Sequence, residues 1–211
     1  TGFDELRDLA EASGDKVSLA MGMAGWVSAL IVHARFVEAS VLGSELTGLL
    51  ESINDPTLTI ALVYAPLAAK LQTGELAETL RLAQLTIDLA EGDPVKGNVI
   101  VGSPLTGAIM LRGCVRYYSG DPRWRDDIAQ SSMMIRAFDA RLRAILLQFK
   151  YNLITSSDLE PIDAAAEAES VELLHLAERS GDDFTLACAR FVRGQVLTAR
   201  NPGDAEGLSL L

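Results

Sequence analysis

The stretch NDPTLTIALVYAPLAAKLQTGELAETLRLAQLTIDLAEGDP, residues 54–94, decides the fold of this chain. Residues 58–71 are apolar at most positions, which is typical of a helix buried on most sides. Residues 76–90 carry apolar side chains on one helical face and charged side chains elsewhere. The turn Thr73-Gly74-Glu75 separates the halves. The stretch therefore predicts one helical hairpin, made of an A helix and a following B helix.

Pro66 lies inside the predicted A helix of this hairpin. Proline has no backbone N–H, and its ring collides with the carbonyl four residues earlier. We therefore expect either a kink near Pro66 or a late start of the helix.

The same pattern of cap and hairpin recurs along the chain. Aspartates that can cap a helix N-terminus occur at intervals of 38 to 46 residues, at Asp15, Asp55, Asp93, Asp139 and Asp182. Such a period is typical of helical solenoids, in which each hairpin buries its faces by stacking on the next. We predict an all-α fold, a right-handed α-solenoid of stacked hairpins with about five repeats.

The predicted repeats fill the whole chain. The A helices are expected at residues 16–33, 57–73, 105–119, 140–156 and 184–200, and a long connector is expected at 94–104. The B helices are expected at 35–53, 75–91, 124–138, 161–180 and after Asp204, with a further B helix at 3–12. We predict a single repeat domain over residues 1–211. Because both terminal hairpins read as incomplete, we expect a fragment of a larger protein.

Composition narrows the classes of function. The chain has 211 residues, is 49% hydrophobic and carries a net charge of −11, which predicts a folded protein that does not bind nucleic acid directly. The apolar stretch at 17–32 is shorter than the roughly 20 residues of a membrane span. Cys114 and Cys188 lie in apolar runs, as reduced core thiols do, and we expect a cytoplasmic protein with no membrane partner.

Catalytic and cofactor motifs are not recognisable in the sequence. Gly97 and Gly102 have a spacing similar to that of a phosphate-binding loop, but Ser103 stands where a lysine is needed. His33 and His175 are isolated from other ligand-type residues. We therefore expect no catalysis, no metal and no cofactor in this segment.

The charge pattern is more informative than the motifs. The five predicted A helices contain ten basic and no acidic residues, whereas the B helices carry the carboxylates. If the A helices line the inner curve of the solenoid, their cations form a basic groove. The predicted ligand-binding residues of this groove are Lys70, Arg112, Arg116, Arg143, Lys150, Arg190 and Arg193. The alternative is that these cations pair with B-helix carboxylates and only solubilise the array.

Two turns resemble a known repeat. GELAETL at 74–80 and RFVEASV at 35–41 resemble the middle of a tetratricopeptide repeat. Five longer stretches are similar to the repeat region of large actinobacterial, mycobacterial-type signalling proteins: FDELRDLAEASGDK at 3–16, SINDPTLT at 52–59, VGSPLTGAIMLRG at 101–113, GDPRWRDD at 120–127 and ERSGDDFTLACAR at 178–190. Those proteins join a class III adenylate or guanylate cyclase-like domain, a STAND-type P-loop ATPase domain and, in some, a LuxR-type DNA-binding domain.

The resemblance implies a context for the segment. We expect a non-catalytic TPR-like scaffold or sensor of a multidomain signalling or transcriptional regulator, with any cyclase or ATPase activity outside this chain. Its expected partners are other domains of the same polypeptide and an anionic small molecule or acidic peptide in the basic groove. The alternative is a protein-protein interaction module that mediates self-association as a homo-oligomer or docks neighbouring domains.

Overall fold

The structure is a computed structural model that describes residues 14–99, 102–156 and 162–211, together with Glu5. Every regular element in these ranges is a helix and none is a strand, so the all-α prediction is confirmed. The predicted B helix at 3–12, apart from Glu5, and linker residues 157–161 lie outside the described residues. The solenoid and its repeat number stay predictions.

The described ranges contain eleven α-helices. They are α1 (Lys16–Val32), α2 (Phe36–Ile53), α3 (Pro56–Leu62), α4 (Tyr64–Gln72), α5 (Leu76–Ala90), α6 (Pro104–Tyr118), α7 (Trp124–Met134), α8 (Ala140–Thr155), α9 (Ala164–Ser180), α10 (Asp183–Arg200) and α11 (Ala205–Leu210). A short 3₁₀ turn, Ile135–Ala137, follows α7. The A helices are therefore α1, α3 with α4, α6, α8 and α10.

The chain divides into two compact units, residues 1–124 and residues 125–211. In the first unit α1 packs on α2 and α4, α4 packs on α2, α5 and α6, and α5 packs on α6. In the second unit α8 packs on α9 and α10, and α10 packs on α9 and α11. The prediction of one domain over all 211 residues stays a prediction.

Most of the predicted caps are present. Side-chain oxygens of Asp15, Asp55 and Asp139 accept backbone N–H groups at the starts of α1, α3 and α8. Asp182 precedes α10, but its carboxylate accepts the Thr185 hydroxyl and caps no backbone amide. These four aspartates mark the expected helix starts.

The prediction for Asp93 is wrong. Its carboxylate accepts the N–H of Val95 at 2.9 Å within a turn, and no helix starts there. The next helix, α6, is capped ten residues later by Ser103, whose hydroxyl accepts the N–H of Thr106. Pro94 favours a turn as readily as a first helical turn, so the Gly-Asp-Pro pattern does not distinguish them.

Pro66 breaks the second A helix, as expected. The helix α3 ends at Leu62 and α4 begins at Tyr64, because Pro66 cannot donate to the carbonyl of Leu62. Gly43 of α2 faces the proline, and a Cβ at Gly43 would lie 3.0 Å from the Pro66 Cβ. The absence of a side chain at Gly43 lets α2 approach the break closely.

Candidate functional site

The ammonium group of Lys70 lies inside the first unit. Lys70 belongs to the last turn of α4 and is 5% exposed. Its Nζ donates to Ser40 Oγ at 2.9 Å and to Ser44 Oγ at 2.7 Å, both on α2, and to Glu75 Oε2 at 2.8 Å. One cation therefore joins α2 to the turn that starts α5.

Glu75 accepts hydrogen bonds from two further residues besides Lys70. Its other oxygen, Oε1, accepts the hydroxyls of Ser40 and Thr73. The hydrogen bonds from Lys70 and then from Ser40 lower the pKa of Glu75 to about 2 from its ordinary value of 4.5. The carboxylate therefore stays charged throughout the neutral range.

The other two predicted cations of the first unit lie one turn apart on α6. Arg112 Nη1 donates to Gln84 Oε1 of α5 at 3.1 Å. Arg116 Nε lies 3.8 Å from Asp121 Oδ2, in the turn after the same helix. Asp121 also accepts Arg123, and these hydrogen bonds, with a smaller contribution from Arg116, lower its pKa to about 2. Both arginines therefore have protein partners.

In the second unit two cations face the B helix α9. Arg143 Nη2 donates to Glu172 Oε1 at 3.0 Å, and Lys150 Nζ donates to Glu169 Oε2 at 2.7 Å. The cations lie two turns apart on α8 and the carboxylates one turn apart on α9. The arginine is buried, whereas Glu172 is largely exposed. These two ion pairs hold α8 against α9.

Arg193 of α10 contacts the B helices on both sides of it. Its Nη1 donates to Ser170 Oγ of α9 at 3.2 Å and lies 4.0 Å from Glu167 Oε1. Its Nε lies 3.7 Å from Glu206 Oε1 of α11. Arg193 is buried and thus connects three helices of the second unit.

Arg190 differs from the other six predicted cations. It lies on α10, is exposed, and forms no ion pair or hydrogen bond with any residue of the described ranges. The sequence alone did not reveal the environment of these cations, because burial depends on which helices pack together. Partners such as Ser40 and Ser170 carry no charge and give no signal in the charge pattern.

Burial and packing account for both cysteines and for Gly97. Cys114 and Cys188 are unpaired and buried, and burial raises the pKa of the Cys114 thiol to about 12. Gly97 has a positive φ of 75°, and a Cβ there would lie 2.5 Å from Ile60 Cγ2, so packing requires this glycine. Within the described ranges, no cluster of three His, Cys, Asp or Glu side chains could hold a metal ion.

Residues of the described ranges line two cavities. One of about 190 Å³ lies beside the helix break in the first unit, and its wall includes Leu50, Val63, Leu85 and Leu89. The other, of about 260 Å³, lies between α8 and α9, and Lys150 is the one predicted groove residue in its described lining. No described helix is long and apolar enough to cross a lipid bilayer.

The seven predicted cations divide between the two units. Lys70, Arg112 and Arg116 belong to the first unit, and the other four belong to the second. That they line one common groove stays a prediction. Comparison of the chain with protein-family models, with curated proteins and with solved structures found no match.

Proposed function

We propose that this chain is a non-catalytic helical-repeat scaffold of a multidomain signalling protein. The observation that carries the proposal is the bridging of successive B helices by buried A-helix cations. Lys70 connects α2 to the start of α5, and Arg193 connects α9 to α11. Such bridges fix the angle between neighbouring hairpins. The surface that a partner contacts is therefore already ordered, which lowers the entropy cost of binding.

The ion pairs support a structural role for the A-helix cations rather than an anion-binding role. Six of the seven predicted residues are engaged with groups of the same chain, and three of these cations are buried. At the three buried cations, Lys70, Arg143 and Arg193, a ligand anion would have to displace a partner of the same chain that is already in place. This favours a scaffold over a sensor of nucleotides in a basic groove.

Thermal-shift measurements with nucleotides and phosphorylated metabolites test the proposal. A scaffold is expected to keep its melting temperature in all of them, and the double variant Arg112→Glu/Arg116→Glu is expected to behave like the parent toward these ligands. A ligand-dependent rise in melting temperature that the double variant abolishes would instead establish an anion sensor. Circular dichroism of the variant checks that its helices are retained.

A second candidate function is self-association, which exposed apolar side chains favour. Val37 and Val41 lie one turn apart on α2 and are 72% and 59% exposed. Neighbouring exposed apolar side chains of this kind are common at protein–protein interfaces. Single exposed apolar side chains are also found on monomers. Mass measurement in solution decides: a dimer that Val41→Lys converts to a monomer supports the interaction module, and a monomer at all concentrations supports the scaffold.

A further inference from the structure

The cavity between α8 and α9 is lined by both charged and apolar side chains. Its described lining includes Arg136, Lys150, Tyr151, Ile154, Ile162 and Glu169. All of these belong to the second unit. In such a cavity polar groups can orient a ligand while its apolar part packs against the apolar residues.

Glu169 holds two of the polar lining residues in place. Its Oε2 accepts Lys150 Nζ at 2.7 Å and the Tyr151 hydroxyl at 2.8 Å. Burial, and then the nearby Glu169 charge, raise the pKa of Tyr151, so its hydroxyl stays protonated and keeps donating. A lysine ammonium has three N–H donors. Within the described residues Lys150 gives one of them to Glu169, and donors remain for a ligand.

Arg136 supplies the second cation. It lies on the 3₁₀ turn Ile135–Ala137, is exposed, and forms no ion pair with a residue of the described ranges. A guanidinium group binds a carboxylate through two parallel N–H donors. The other charged group of the lining, Asp163, is engaged in capping α9 through the N–H of Ala166 at 2.8 Å.

The apolar lining residues and the cavity volume limit the chemistry and the size of the ligand. Ile154 and Ile162 offer branched aliphatic surface beside the charged groups. The cavity of about 260 Å³ lies below the roughly 300–1,000 Å³ of pockets that hold drug-sized ligands. A nucleotide is therefore too large, and a single short aliphatic chain is of a suitable size.

We propose that this cavity binds a small monocarboxylate with a branched aliphatic body. Its carboxylate contacts Arg136 and Lys150, and its aliphatic body packs against Ile154 and Ile162. Glu169 acts as a positioning residue, because it holds Lys150 and Tyr151 at the cavity wall without contacting the ligand. This binding site is a further property of the chain, and the proposal does not depend on the scaffold function.

NMR titration with 4-methylpentanoate tests the site, with 4-methylpentanamide as its uncharged counterpart. We expect the carboxylate to bind at least ten-fold more tightly than the amide, because the amide cannot form the ion pair with Arg136. Arg136→Gln is expected to weaken binding of the carboxylate at least ten-fold. Arg179→Gln, which removes another exposed arginine from the same unit, is the matched control and should bind like the parent.

Three results would overturn the site. They are the absence of binding to the parent chain, equal binding of carboxylate and amide, and equal weakening by Arg136→Gln and Arg179→Gln, which would indicate a general charge effect. Arg136→Lys, which keeps the charge, should retain part of the affinity. Circular dichroism of each variant separates loss of the site from loss of the fold, and none of these results bears on the scaffold proposal.

Discussion

Lys70 and Glu75 form an ion pair, 2.8 Å between Nζ and Oε2, in which the lysine is buried and the glutamate side chain is 43% exposed. The two residues belong to the same hairpin turn, but the lysine also reaches Ser40 and Ser44 of the preceding B helix. A single side chain thus connects two hairpins of the first unit.

Replacing Lys70 by methionine is expected to destabilise the first unit. The change leaves two serine hydroxyls and a carboxylate without their common donor, but the exposed part of Glu75 regains water. We therefore expect a loss of about 1–3 kcal/mol, below the 3–5 kcal/mol of a fully buried pair. Urea unfolding measures it.

Arg35→Met is the control for Lys70→Met. Arg35 pairs with Glu38, and both side chains are more than half exposed. An exposed pair of this type contributes little to stability, because both charges remain solvated in the folded chain, so Arg35→Met is expected to lose much less stability than Lys70→Met. Equal losses for the two variants would contradict a special role for the Lys70 cluster.

The stability contributed by Glu75 should depend on pH. Its folded pKa of about 2 lies below its ordinary value of 4.5, so folding favours the charged form. The contribution is fully present above pH 4.5 and is lost as the pH falls from 4.5 toward 2. Glu75→Gln should therefore be less stable than the parent at pH 6, and the difference should shrink at pH 2–3.

Melting temperatures between pH 2 and pH 7 check this dependence for both chains. Glu178→Gln, at an exposed carboxylate of the second unit, is the control for the loss of one negative charge. A constant difference between parent and Glu75→Gln across this range would refute the coupling to Lys70 and Ser40.

Gly107 should not accept even a methyl group. A Cβ at Gly107 of α6 would lie 2.4 Å from Cε2 of the Tyr64 ring, which is buried between α4 and α6. Gly107→Ala is therefore expected to lower the free energy of unfolding by about 1–3 kcal/mol through overpacking. Gly25→Ala is the matched control, since a Cβ at Gly25 of α1 would have no atom within 4 Å. It should stabilise by about 0.5–1 kcal/mol through helix propensity.

Tyr64 itself offers the opposite test. Its hydroxyl is buried and has no hydrogen-bond partner among the described residues. Burying an unpaired hydroxyl costs free energy, so Tyr64→Phe should raise the free energy of unfolding by about 1 kcal/mol. A loss of stability in thermal or urea unfolding would mean that the hydroxyl has a partner in solution.

Helix positions could be predicted from the sequence because their signals are local. Asp55 and Asp139 cap the helices expected after them, and Pro66 breaks its helix where the missing N–H requires. The prediction of a helix cap at Asp93 was wrong because the same Gly-Asp-Pro pattern also forms an isolated turn. A connector follows this turn, and α6 starts only after its cap, Ser103.

The candidate site was harder to predict because it depends on tertiary contacts. The charge pattern predicted A helices without acidic residues, but α10 begins one residue earlier than expected and includes Asp183. The pattern also left open whether the cations face a ligand or the neighbouring helix. Lys70, Arg143 and Arg193 are buried against their neighbours. Arg136 was not selected, because it lies on a short 3₁₀ turn that the repeat pattern assigned to a B helix.

The break at Pro66 should give the second A helix two different rates of amide hydrogen exchange. The seven residues of α3 are too few to be stable as an isolated helix, and they lack the continuous hydrogen-bond ladder into α4. The α4 segment is held by Lys70 through α2 and Glu75. Local opening should therefore expose the amides of α3 well before those of α4, so that one predicted helix behaves as two cooperative segments.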